Sequence, residues 1–126
     1  MTDKEEDCVF CQKVVKRAAE RITGEIGGTT IYWGFRTASF EPLNPITPGH
    51  RLFVPTNHLE HGDGREATIA LSYAVHVASD YAHEKGVDFN LITSCGPAAT
   101  QTIPHLHAHY IPRRPGDGLM LPWTNQ

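Results

Sequence analysis

No uninterrupted apolar run in the 126 residues approaches the roughly 20 that a bilayer-crossing helix needs. The opening MTDKEEDC is acidic, unlike the basic and then apolar start of a secretory signal, and the expectation is a cytoplasmic protein. Positive charge is not in surplus either. A formal charge of −3 at pH 7 leaves no basic stripe for a nucleic-acid backbone or an anionic membrane. With no P-loop lysine, any phosphate must be held by local neutral or singly charged donors and backbone amides. Cysteine is scarce: Cys8, Cys11 and Cys95 cannot all pair within one chain, and a reducing compartment disfavours disulfides. For the close pair in CVFC, metal binding is therefore the better question. Repeats and low-complexity tracts are absent too, and the length suits one domain over 1–126.

Between the Gly and Pro punctuation the chain carries recognisable periods. VFCQKVVKRAAERITGE places Val9, Phe10, Val14, Val15 and Ala18 at mostly helical spacing, with Gly27 and Gly28 as its stop. TTIYWGF and RTASFEP read as two strands or a bent hairpin around Gly34, and the proline-rich PLNPITPGH is a loop leading to a strand in HRLFVP. The longest helical pattern follows. Asp63 and Glu66 resemble a capping box, Ala70, Ala74, Val77 and Tyr81 form a stripe, and Gly86 is the C-terminal stop. DFNLITS, the turn region GPAATQ and HLHAHYIP then read as two strands and their connection. This mixture without regular βαβ alternation predicts an α+β domain. It should have a mainly antiparallel sheet of about five strands, a long helix packed on it and a short N-terminal helix. The tail over 113–126 is extended, and Met120, Leu121 and Trp123 call for a covering surface, such as a second subunit.

HLHAHYIP concentrates three of the eight histidines on alternate positions. In a strand, His105, His107 and His109 would share one face while Leu106, Ala108 and Tyr110 take the other. A row of groups that repel one another when protonated is costly for a merely structural strand. Two uses stay open on the residues alone: a three-histidine metal site, and a histidine acting as a nucleophile on phosphorus. CVFC lacks the second close ligand pair of a small zinc finger, so two further ligands would come from afar.

PITPGHRLFVPTNH followed by GPAATQTIPHLHAHYIPRRPGD resembles the histidine triad nucleotide-binding superfamily, with its HxHxHxx signature. QTIPHLHAHYIPRRPGD looks most like the fragile-histidine-triad branch of dinucleoside polyphosphate hydrolases. The likeness runs in order through nearly the whole chain. It implies a structural zinc held by Cys8, Cys11, His58 and His105. It also implies that His107 attacks the α-phosphate of a dinucleoside polyphosphate or a related nucleoside phosphate ester or amidate, giving a covalent nucleotidyl-histidine. His109 would serve a phosphate oxygen or the orienting network, His50 would support the triad, and a homodimer is implied.

For substrate contacts the expectation is Gln101 and Thr102 near the phosphate, with Ser94 and Asn44 as further candidates. The chain departs from the family pattern where Pro42 replaces a ribose-clamping carboxylate, which leaves Asn44 or Glu41 for that task. Cys95, His61, His76, His83, Arg113 and Arg114 are read as structural or solvated. Three other readings stay open beside the dinucleoside polyphosphate hydrolase. One is a nucleotide-binding or regulatory module with little turnover, another a nucleoside phosphoramidase, and the third a metal-dependent hydrolase, whose activity would vanish with the metal.

Overall fold

The computed structural model describes residues 8–11, 25–26, 29–30, 32–34, 36–60 and 63–124. Among the described residues seven strands are present: β1 (Glu25–Ile26), β2 (Thr29–Thr30), β3 (Tyr32–Gly34), β4 (Thr37–Phe40), β5 (Arg51–Pro55), β6 (Phe89–Thr93) and β7 (Ala108–Pro112). One long helix, α1 (Arg65–Lys85), separates β5 from β6. The main sheet has the order β3-β4-β5-β7-β6, with every neighbouring pair antiparallel, while β1 and β2 form a separate two-stranded ribbon. The expected α+β architecture, a long helix on an antiparallel sheet, is what the chain adopts. No helix among the described residues is long and apolar enough to cross a membrane.

The sheet has two packed faces, and the strand period decides what each receives. Phe53 and Tyr110 point to α1 and cluster with Ala74, Ala78 and Ala82, with Val77, Tyr81 and Leu91 at the margin. Tyr81 meets Phe53 and Tyr110 edge-on, at centroid distances of 5.6 and 5.2 Å. On the opposite face Ala38, Phe40, Leu52 and Val54 pack against Cys8, Phe10 and Cys11. His109 is paired with Leu52 across β5–β7 and with Ile92 across β6–β7, which fixes its position next to that second cluster. Burying one large side chain of this kind is worth about 1.5–3 kcal/mol.

Several local expectations change. The buried stripe of α1 is Ala67, Ala74, Ala78 and Ala82, with Ala70 only half-buried, because contact with Phe53 and Tyr110 sets the helix rotation. Asp63 makes no cap: Gly64 is the N-cap, and its carbonyl accepts from the Thr68 N–H and hydroxyl. Gly86 does end the helix in the left-handed conformation, its N–H donating to the Ala82 carbonyl. Glu25, placed by periodicity in the N-terminal helix, pairs with Thr30 in the ribbon instead. Of that helix only residues 9–11 and Glu25 lie within the described residues, and Val9 and Phe10 are helical.

The triad strand is also shorter than expected. It begins at Ala108, so His105, Leu106 and His107 precede it. Three bonds hold this lead-in away from regular pairing: Leu106 N–H donates to Leu59 O, His105 N–H to Ile103 O, and the Thr93 hydroxyl to His107 O at 2.8 Å. At the other end of β7, Arg113 is engaged rather than solvated. It donates to Asp117, to Asn90 Oδ1 and to the Leu119 carbonyl, folding the tail back on β6. Met120 and Trp123 remain exposed.

Gly49 has φ +90°, and a Cβ there would lie 3.0 Å from Pro112 Cγ. That backbone conformation belongs to glycine, and strain of this sort costs about 1–3 kcal/mol. Gly49→Ala should therefore lower the unfolding free energy by about 1–3 kcal/mol in urea titration, through both strain and the shove against β7. An unchanged midpoint would show that the turn before His50 relaxes freely.

Candidate functional site

The proline-broken loop after β4 delivers His50 to the head of β5, and a turn closed by His50 N–H to Thr47 O sets its direction. Its ring is oriented by a backbone donor: Ile46 N–H points to His50 Nδ1 at 3.2 Å. An amide can only donate, so Nδ1 must carry the lone pair and the neutral ring holds its hydrogen on Nε2. That nitrogen lies 2.9 Å from His109 Nδ1. His109 therefore accepts at Nδ1 and keeps its own hydrogen on Nε2, a donor fixed by a chain of bonds that starts at a main-chain amide.

His107 is oriented the other way round. Its Nδ1 lies 2.7 Å from the His105 carbonyl, which can only accept, so Nδ1 is protonated and Nε2 keeps a lone pair. The ring is buried, with the His109 ring centroid 5.0 Å away and the Phe10 centroid at 5.4 Å. Burial holds all these imidazoles neutral. It lowers the pKa of His107 against the opposing pull of the His105 carbonyl, and that of His50 against the pull of Glu41. His109 is pushed down to about 4, by burial first and then by His107 and His50.

His105 faces a different chemistry. Its Nε2–H donates to Pro55 O at 2.8 Å, which leaves the Nδ1 lone pair aimed at two sulfurs: Cys11 Sγ at 3.4 Å and Cys8 Sγ at 3.6 Å. His58 Nδ1 is 3.2 Å from Cys11 Sγ. One ligand atom from each of Cys8, Cys11, His58 and His105 lies within 4.8 Å of all the others. A tetrahedral ion with metal–sulfur bonds near 2.3 Å and metal–nitrogen bonds near 2.0 Å separates S from N by about 3.5 Å, so the donor set fits such an ion. The Pro55 carbonyl is the kind of outer partner that fixes a ligating imidazole. Burial pushes His105 down to about 4, which keeps its ligand lone pair free of a proton at neutral pH.

The other expected substrate contacts are less gathered. Gln101 spends its amide on the surrounding loop: Oε1 accepts from Gly96 N–H, and Nε2 donates to Glu60 O and Ile103 O. Thr102 and Asn44 are exposed and Ser94 is half-buried at the end of β6. A cleft lined by Arg36, Asn57, Glu66 and Tyr73 lies on the α1 side and includes none of these histidines. Three contributors escaped the sequence reading: Ile46 N–H, Pro55 O and the Thr93 hydroxyl. Thr93 alone had a signal, since it ends the strand that pairs with the triad strand.

The neutral His109 sets a pH dependence. Unfolded, it takes a proton as pH falls through about 6.5; folded, it resists protonation down to about 4. Stability should thus be level above pH 7 and decline from about 6.5 toward 4. The urea midpoint at pH 5 should lie below that at pH 7.5, with a smaller gap in His109→Asn. Equal gaps in the two proteins would show that His109 is not the group responsible.

Known proteins share this fold. A solved structure of a HIT family hydrolase from Clostridium thermocellum superposes with a TM-score of 0.69 at 28% identity, covering 92% of this chain and 98% of that one. A zinc-bound histidine triad family protein from Mycobacterium smegmatis gives 0.68 at 27% identity, over 94% and 83%. The adenylylsulfatase HINT3 of Arabidopsis thaliana is 31% identical over 124 residues, 95% of this chain and 57% of its own length. The family model for the HIT domain matches residues 23–116, and the chain belongs to the HIT domain family.

Proposed function

We propose that the chain is a nucleotide hydrolase in which His107 attacks the α-phosphate of a dinucleoside polyphosphate or a related nucleoside phosphate ester or amidate. The observation that carries this reading is the bond from His107 Nδ1–H to the His105 carbonyl, which leaves Nε2 unprotonated. A buried neutral imidazole so fixed is a competent nucleophile near pH 7. As Nε2 bonds to phosphorus, the bond to the leaving group breaks, P–O in an anhydride or ester and P–N in an amidate, whose amine leaves with a proton from solvent, and positive charge grows on the ring. The carbonyl at Nδ1 stabilises that charge. Water then attacks the phosphorus and gives up a proton to solvent, the P–N bond to His107 breaks, and Nε2 regains its lone pair.

His109 Nε2–H serves a phosphate oxygen, held as a donor by His50. Thr102, Ser94 and Asn44 are polar side chains available to the nucleotide, while Gln101 shapes the loop that carries Thr102. The hydrolase and adenylylsulfatase among the relatives support cleavage at a nucleotide phosphate. In the same reading two chains associate, and the exposed Met120 and Trp123 of the tail are covered by the second copy.

The four-ligand cluster holds zinc in this reading, supported by the zinc-bound relative and by the two-thiolate, two-imidazole donor set. With four protein ligands the site is closed, so the ion contributes folding energy and no position for reacting water. Elemental analysis should return about one zinc per chain, absent from Cys11→Ser, and chelation should lower the melting temperature. A chelated protein that stayed equally stable while losing all activity would favour metal catalysis instead.

His107→Ala should reduce turnover of a dinucleoside polyphosphate by at least about a thousandfold while the protein stays folded and zinc-loaded. Hydrolysis that survives the substitution would remove His107 as nucleophile. Wild-type protein that binds nucleotide without turnover would favour a binding module.

A further inference from the structure

Phe10 is the second of the two residues between Cys8 and Cys11, and the nucleophile leans on it. Its ring is buried, with 8% of its surface exposed. It meets His107 edge-on at a centroid distance of 5.4 Å and an interplanar angle of 89°, and it meets His105 at 5.8 Å and 75°. On its far side it rests on Phe40 of β4 at 5.4 Å and 73°. A ring tethered by one hydrogen bond can still swing about that bond. Among the described residues His107 has a single such tether, at Nδ1, so what limits the swing is the packing around it.

We propose that Phe10 is a positioning residue for His107, and that the CxxC segment, by gripping Phe10 from both sides, transmits the state of the thiolate–imidazole cluster to the nucleophile. The proposal rests on the hydrolase reading above. Two links run from the cluster to His107. The first is the main chain, because the carbonyl that fixes Nδ1 belongs to the ligand residue His105. The second is the aromatic wall. With Cys8 and Cys11 both directed at the cluster, the backbone between them has little freedom, and Phe10 is held against His107 and Phe40 together. A misplacement of about 1 Å at a reacting atom can cost about a hundredfold in rate, so a softened wall should register in turnover. In this proposal Phe10 acts through His107.

Phe10→Ala and the bulk-preserving Phe10→Leu test this. Three quantities are compared: bound zinc, kcat and KM for a diadenosine polyphosphate, and the long-range 1H–15N spectrum of the His107 ring at pH 8 without nucleotide. In Phe10→Ala zinc should stay at the wild-type level, kcat should fall about tenfold, and KM should change less than about threefold. The wild-type ring should show the Nδ1-protonated tautomer, and Phe10→Ala an average of the two. Phe10→Leu should fall between them and remains readable if Phe10→Ala does not fold.

A rise in KM with kcat unchanged would overturn the proposal and make Phe10 a wall of the nucleotide pocket. A wild-type tautomer in both variants would overturn it as well. If the wild type turns over no nucleotide, the hydrolase reading fails, but the ring spectrum still decides whether Phe10 orients His107.

Discussion

The bond from His107 Nδ1 to the carbonyl of His105 joins two different chemistries through one peptide segment. His105 turns its side chain to the thiols of Cys8 and Cys11 and its carbonyl to the next histidine but one. For both to hold, the segment must leave the sheet before β7 begins. The bonds from Leu106 N–H and the Thr93 hydroxyl make it do so. The rest of the architecture serves that detour: β5 supplies Pro55 O to His105, β6 supplies Thr93, and the 41–49 loop supplies Ile46 N–H to His50.

Neutrality is the second constraint, and burial imposes it. Charging several imidazoles packed a few ångströms apart is opposed by desolvation and by mutual repulsion, so each keeps one hydrogen and one lone pair. The tautomers of His50, His105 and His107 are then each set by a backbone group whose role cannot reverse, an amide that donates or a carbonyl that accepts, and that of His109 is set through His50. Side-chain chemistry is thereby anchored to main-chain geometry. The α1 face takes no part in it and supplies bulk: small alanines let the helix settle on Phe53 and Tyr110.

Much of this was legible in residue order. The β-branched and aromatic runs marked the strands, Gly86 marked the helix end, and the distant Cys8, Cys11, His58 and His105 do come together. What was not legible depended on tertiary contact. The face of α1 followed the shape of Phe53 and Tyr110, not hydrophobicity alone, and alanine carries a weak signal in either role. Alternation placed three histidines on one strand face, yet two of them precede the strand, because local bonds to Leu59 and Thr93 outcompete ladder pairing. Gln101 reads in the sequence as a donor to phosphate, and its amide goes to backbone carbonyls that sequence cannot locate. Arg113 looked solvated, and Asp117 four residues on captures it.

The central claim is a covalent bond between phosphorus and one nitrogen of His107. Rapid mixing of the protein with a dinucleoside polyphosphate, quenching into alkali and peptide mass spectrometry would read it directly. A nucleotidyl adduct on the peptide containing His107, formed within one turnover and absent from His107→Ala, is the expected result. Full turnover with no adduct at any quench time, or an adduct that persists in His107→Ala, would contradict it.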